Sequence, residues 1–311
     1  MATARSPLAS AVGVVRRTLA PLSPRRRRWL RFLASFELDP DLLHRPVAEP
    51  GPRDFVICGC PRSGTTLLAA ALFQPPAAVT VMEPWDGMRL LPAELFASLR
   101  GELAEAGRLR RGKLDVDALL AEGAVRWVRE GTPTPPLDVG SEVRLGVKWP
   151  AFWRYLELLE ETRFLVCVRE PFDTVASFKL KGGRLGEGLE YDLAFNRSVN
   201  AELLAAAPDR SDLRRALLYE TIHRRLLPHV GRENVLLVRY ECWFDDPSAL
   251  IAEIGGFLGV PLGPGPARIR PAHRNRLLTA GEIDLVRERC RSAEAFGYDL
   301  GDAPEPAPAA A

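Results

Sequence analysis

Five short runs of nearly unbroken hydrophobic sequence, rich in β-branched residues, stand out along the chain: FVICGC (55–60), AAVTVM (77–82), RLGVKW (144–149), RFLVCV (163–168) and NVLLVRY (234–240). Successive side chains on a strand point to opposite faces, so a run without polar alternation reads as a strand covered on both sides. Between these runs the apolar positions recur at helical spacing. In DDPSALIAEIGGFLGVP, Asp246 is an N-cap and Pro247 a first helical residue, Leu250, Ile251, Ile254, Phe257 and Leu258 form one apolar face, and Gly259 ends the helix. Continuous strands alternating with helices predict an α/β fold, a doubly wound parallel sheet with helices on both faces. Ligands in such sheets bind beyond the carboxyl ends of the strands, so residues directly following the five runs are the place to look for chemistry.

Between the second and third runs lies a long connection, 86–143, carrying charged helical text (ELFASLRGELAEAGRLRR) and leaving through GTPTPPLDVG. A connection of this length inside a compact domain serves as a lid or recognition element, and it is assigned here as a helical insert on the acceptor side. Residues 1–53 form a basic extension, 54–300 the main domain, and 301–311 (GDAPEPAPAAA) a tail expected to be disordered.

Composition excludes several functions. The net charge is +2, but residues 1–53 hold ten Arg against four acids, leaving 32 basic and 36 acidic residues in the remainder. The body of the protein is therefore not a nucleic-acid binder. In SPRRRRWLRFLASFELD, four arginines precede Trp29, Phe32, Leu33 and Phe36 on one helical face, which reads as a helix packed on the domain or as a peripheral contact with anionic lipid. No stretch reaches the roughly 18 apolar residues that span a bilayer. The first twenty residues make a poor secretory signal, so a cytoplasmic location is expected. Five cysteines, with Cys58, Cys60 and Cys167 in strand-like runs, read as buried hydrophobes; Cys58-x-Cys60 has no histidine nearby in sequence, and no metal is expected.

The first run leads into Gly59-Cys-Pro-Arg-Ser-Gly64-Thr-Thr and then a helix, the layout of a P-loop-type phosphate site in which backbone N–H groups converge on an anion. A nucleoside-triphosphate loop carries Lys after its second glycine, to reach the β/γ-phosphates, and then Ser/Thr for Mg²⁺. Here Thr65 occupies the lysine position and Arg62 precedes the glycine. Nothing is set to grip a γ-phosphate. A second cation, Arg169, follows the fourth run, with Ser177, Lys179 and Lys181 on or beyond the helix begun by Pro171. Alone it reads as a surface arginine paired with Glu170 or Asp173; beside the loop it points to a ligand with two separated anionic groups.

CGCPRSGTTLL together with FLVCVREPFDTVAS resembles the 5′-phosphosulfate loop and 3′-phosphate strand-turn-helix of sulfotransferases that use 3′-phosphoadenosine 5′-phosphosulfate (PAPS). VLLVRYECWFDDPSALIAEIGGFLGVPL and the terminal SAEAFGYDL are similar to later segments of the same enzymes, so the resemblance runs in order over roughly 54–300. It implies PAPS as co-substrate, no metal, and sulfonyl transfer to a hydroxyl, or less readily an amine. Arg62, Ser63, Gly64, Thr65 and Thr66 then hold the 5′-phosphosulfate. Arg169, Ser177 and Lys181 hold the 3′-phosphate, and Tyr240 contacts the nucleotide. Many cytosolic members use a histidine base after a Lys-Thr-Pro-like segment; GVKWPAFW keeps Lys148 and Pro150 without one, and His44, His223, His229 and His273 lie elsewhere. Glu83, ending the second run in VTVMEPWDG, stands where the glutamate-dependent branch, which includes protein-tyrosine sulfotransferases, carries its base; Asp86 is the fallback. Lys148, one of only four lysines among 42 basic residues, is assigned to the transferring or leaving oxygen. The alternatives are a P-loop kinase or NTPase and a non-catalytic nucleotide-binding protein on the same fold. The acceptor is left open among small molecules, carbohydrates and lipids.

Overall fold

A computed structural model describes residues 45–109, 115, 118, 133–191, 196–264 and 277–301. The basic N-terminal segment through His44, Lys113, Trp127, His273 and the tail from 302 lie outside the described residues. At the centre is a five-stranded sheet, every strand parallel to its neighbours: β1 (Asp54–Gly59), β2 (Ala78–Met82), β3 (Arg144–Lys148), β4 (Arg163–Val168) and β5 (Val235–Arg239). The order across the sheet is β2-β3-β1-β4-β5. All six residues of β1 and all five of β2 are buried, which requires cover on both faces because neighbours point opposite ways. The edge strand β5 is only half-buried.

The strands match the five hydrophobic runs to within one residue at each end. Cys60 and Trp149 are buried but already turn out of the ladder. Helix α1 (Thr65–Ala71) packs on β1, β2 and β3, and α2 (Pro92–Ala106) on β3. Two further helices, α3 (Pro171–Lys181) and α4 (Arg197–Ala206), are both packed on α5 (Ser211–Leu226). Asp246 caps α6 (Pro247–Leu258) by accepting from the Ala249 N–H at 2.9 Å, and Gly259 ends it in a left-handed conformation. The last long helix is α7 (Ala280–Arg289), packed on α5 and α3. Glu282 of α7 accepts from Arg215 of α5 at 2.6 Å and Lys179 of α3 at 2.7 Å, tying three helices through one carboxylate. No helix among the described residues is long and apolar enough to cross a membrane.

Candidate functional site

The loop after β1 is built around backbone conformations that most residues avoid. Gly59 has φ 138°, and a Cβ there would lie 2.2 Å from the Cys167 carbonyl oxygen, its partner in the ladder with β4. Gly64 has φ 96°, and a Cβ there would meet the Tyr240 ring at 2.5 Å. Between them Arg62 takes φ 72°. The Ser63 hydroxyl donates to the Cys60 carbonyl at 2.6 Å and closes the turn. The first bond of α1 runs from the Leu68 N–H to the Gly64 carbonyl at 3.0 Å, so the N–H groups of Thr65, Thr66 and Leu67 precede any helical acceptor. N–H groups arranged in this way can receive an anion, and Ser63 and Thr65 are buried within the loop.

Register explains what stands to one side. Met82 of β2 pairs with Lys148 of β3, so the next residue, Glu83, emerges beside the end of β3. The Glu83 N–H donates to the Lys148 carbonyl at 2.7 Å, and the Lys148 ammonium donates to Glu83 Oε1. The two partners are unequal: the Lys148 side chain is 4% exposed and that of Glu83 30%. Glu83 also takes φ 46°, a left-handed conformation that costs an ordinary side chain about 1–2 kcal/mol and persists only where the surroundings impose it. Asp86, on the single turn Trp85–Met88, pairs with Arg89 at 3.0 Å.

On the other side, Val168 of β4 pairs with Arg239 of β5, which sets Arg169 beside Tyr240. The Arg169 guanidinium lies 4.2 Å from the Tyr240 ring centroid, donates to the Arg62 carbonyl at 3.5 Å and pairs with Asp173 at 3.0 Å. It is only 4% exposed, so the simpler sequence reading holds for its pairing with Asp173 but not for a place on the surface. Ser177, one turn beyond Asp173 on α3, is buried and accepts from Arg62 Nε at 3.0 Å. Arg62 thus joins the loop to α3, and the residues expected at the two anionic positions are in direct contact. Lys181, at the end of α3, is exposed. Tyr240 packs its ring against Arg169 and Gly64 and meets Phe244 edge-on.

Several residues that support the site carried no sequence signal. Glu170 caps α3, accepting from the Phe172 and Asp173 N–H groups at 2.8 and 2.6 Å, and burial pushes its carboxyl up to about 7 against the pull of those N–H groups. The Glu170 N–H donates to Glu241 at 3.0 Å, Glu241 also accepts from the Tyr298 hydroxyl at 2.8 Å, and the Tyr219 hydroxyl donates to the Arg169 carbonyl at 3.0 Å. The end of β4 is therefore held by α5 and the C-terminal segment. The Pro after Glu170 was the one legible hint of that cap. His223 is fully buried, stacked on Tyr219, and burial pushes it down to about 4. An open cleft lined by Glu160, Arg163, Arg232 and Asn234 lies at the opposite, amino end of β4 and β5 and takes no part in this arrangement. Among the described residues no group of three or more His, Cys, Asp or Glu gathers as metal ligands, and all five cysteines are free.

A family model described as the sulfotransferase family matches residues 53–264, more than half of the chain. Nodulation protein NoeE of Sinorhizobium fredii is 26% identical over 275 residues, covering 81% of this chain; the chain spans 61% of that relative's length. Among solved structures, a sulfotransferase from Alicyclobacillus acidocaldarius is 19% identical with a TM-score of 0.40, covering 82% of this chain and 98% of its own. A mouse sulfotransferase complexed with PAP is 16% identical with a TM-score of 0.36, covering 82% of this chain and 69% of its own.

Proposed function

The chain belongs to the sulfotransferase family, and from that premise we propose that it transfers a sulfonyl group from PAPS to an acceptor hydroxyl, releasing 3′-phosphoadenosine 5′-phosphate (PAP). The observation that carries the reading is the distribution of charge along one sheet edge. The anion-fitted loop follows the central strand β1; Glu83 and Lys148 lie toward β2 and β3, and Arg169 with Tyr240 toward β4 and β5. A donor with a 5′-phosphosulfate and a 3′-phosphate fits this edge, its 5′ group in the loop and its 3′-phosphate toward Arg169 and Ser177. Lys181 is assigned to the outer side of the same 3′-phosphate. When bound, the donor supplies a sulfonyl group already activated on a phosphate leaving group.

The residues do the remaining work. Glu83 accepts the acceptor's proton, and its hydrogen bond to Lys148 holds the carboxylate in place to do so. The buried Lys148 ammonium then stabilises negative charge developing on the transferred group and the leaving oxygen, where low exposure strengthens the interaction. Arg62 holds the phosphate-loop side of that charge while bonded to Ser177. The contact of Arg169 with Asp173 leaves its guanidinium oriented, with Tyr240 beneath, for a 3′-phosphate to share. The acceptor is proposed as a small molecule, carbohydrate or lipid.

A thermal-shift comparison of PAP, ADP, and ATP with Mg²⁺ tests the donor. A ligand that binds only the folded chain adds about 2.7 kcal/mol at 100 times its dissociation constant. Selective stabilisation by PAP is the expected result. Stabilisation by ATP with Mg²⁺ alone overturns the reading in favour of a kinase-like loop that tolerates Thr65.

A further inference from the structure

Main-chain groups that leave a sheet ladder need new partners, and where they find them fixes the path of the chain. The ladder of β4 ends with the Val168 carbonyl, which accepts from the Tyr240 N–H at 2.9 Å. Only Arg169 and Glu170 separate it from α3, whose first bond runs from the Thr174 N–H to the Glu170 carbonyl at 3.1 Å, and Pro171 brings no N–H to this turn. The peptide between Arg169 and Glu170 is held at both of its polar groups by side chains. Its carbonyl accepts from the Tyr219 hydroxyl at 3.0 Å, and its N–H donates to Glu241 Oε1 at 3.0 Å. Tyr219 is fully buried in α5, and the other oxygen of Glu241 accepts from the Tyr298 hydroxyl at 2.8 Å.

A peptide is a rigid plane, so fixing its carbonyl and its N–H also fixes the backbone rotation between that plane and the Arg169 Cα, and with it the direction in which the Arg169 side chain departs. The guanidinium then lies 4.2 Å from the Tyr240 ring centroid and 3.0 Å from Asp173, and Ser177 stands one turn further along the helix that begins at this peptide. Stability alone does not call for Glu241. Glu170 and Glu241 are both only half-buried, so water can replace the carboxylate on the Glu170 N–H. Water satisfies the N–H but leaves the plane able to pivot about the oxygen that Tyr219 holds.

We propose that Glu241 is a positioning residue for recognition of the donor's 3′-phosphate: with Tyr219 it holds the Arg169–Glu170 peptide so that Arg169 and Ser177 face one phosphate together, a role that rests on those two residues binding that phosphate. Glu241 acts through the main chain and not by contact with the donor. Two consecutive residues after β5 thus serve one arginine from two sides, Tyr240 under the guanidinium and Glu241 at the peptide that follows it. The C-terminal segment enters the same chain of contacts, since Tyr298 holds the second oxygen of Glu241 and the Arg239 guanidinium lies 4.6 Å from the Tyr298 ring centroid.

The test is isothermal titration of PAP and of ADP into the full chain as wild type, E241A, E241Q and Y219F, read as the ratio of the two affinities. E241A should weaken PAP by on the order of 10-fold, part of what a charge-assisted contact contributes, and leave ADP within about twofold. E241Q should keep the wild-type ratio, because its amide oxygen can accept from the Glu170 N–H while its amide N–H donates to the Tyr298 hydroxyl. A merely structural Glu241 would weaken both nucleotides alike or neither, and either result in E241A overturns the proposal. So does an E241Q protein as impaired as E241A, since the charge and not the bond would then matter. If E241A does not fold, Y219F releases the other end of the same peptide, and an unchanged ratio there overturns the proposal equally. Wild-type protein that binds PAP no better than ADP would overturn the 3′-phosphate assignment itself, whereas a wild-type preference for PAP that survives in E241A overturns the role of Glu241 alone.

Discussion

Truncating either partner of the Glu83–Lys148 pair should have unequal consequences for stability, because the partners are unequally buried. In Glu83→Ala the ammonium of Lys148 is left with a side chain only 4% exposed. Stranding a buried charge costs about 3–5 kcal/mol. In Lys148→Met the carboxylate left behind is 30% exposed and can be hydrated, while the thioether replaces the buried lysine stem with an apolar chain of similar length. That substitution should fall within about 1 kcal/mol of wild type, since exchanging a buried charge for apolar volume is often neutral. At about 2–4 °C per kcal/mol for a domain of this size, Glu83→Ala should lower Tm by roughly 6–20 °C and Lys148→Met by a few degrees at most. Urea denaturation supplies the free energies and differential scanning calorimetry the Tm values. Turnover of PAPS should fall in both variants, because the proposed chemistry needs both groups. A Lys148→Met protein as destabilised as Glu83→Ala would refute the burial argument, and one with full turnover would remove Lys148 from the mechanism.

Arg169→Ala should weaken PAP by roughly 10- to 150-fold, the value of one charge-assisted contact, and leave ADP unchanged in isothermal titration; equal weakening of both refutes a 3′-phosphate role. Gly64→Ala, with φ 96° and a ring 2.5 Å from the new Cβ, should abolish PAP stabilisation. Gly101→Ala on α2, where nothing lies within 4 Å, should instead add about 0.5–1 kcal/mol in a denaturant titration. His223 is buried neutral and binds its proton only near pH 4 when folded but near 6.5 when unfolded. Its contribution to stability is therefore full above about pH 6.5 and is lost as pH falls toward 4, by about 3 kcal/mol in all. His223→Phe should remove that slope, read as the difference between the two proteins' stability curves.

The strands were legible because burial on both faces leaves a strong, local signature, as in Asp54–Gly59, where six consecutive residues are all buried. The loop was legible because its glycines answer to backbone geometry, Gly59 to the neighbouring strand and Gly64 to Tyr240. What stayed hidden depends on contacts distant in sequence. Arg62 and Ser177 are 115 residues apart, and nothing local says that the arginine turns toward α3. Tyr219 and Glu241 hold the end of β4 from elements 50 and 71 residues away, so their importance could not be read from their neighbours.

Strand order, more than any single residue, decides how the candidate site divides its tasks. Parallel neighbours lie about 4.8 Å apart, so the ends of β2 and β5 are separated by four such steps, roughly 19 Å. Because β1 is central, the loop that follows it has the Glu83–Lys148 pair on one flank and the Arg169–Tyr240 pair on the other. Each flank is assembled by register between two adjacent strands: Met82 with Lys148, and Val168 with Arg239. A one-residue slip in either pairing would turn the relevant side chains to the opposite face and dismantle one flank while leaving the other. The proposed base and the proposed nucleotide clamp are therefore structurally separable. Substitutions at Glu83 or Lys148 should spare PAP affinity, and those at Arg169 should spare the Glu83–Lys148 pair. A variant on one flank that disturbed both in parallel would mean that Arg62, which reaches from the loop to Ser177, links them more tightly than the sheet alone requires.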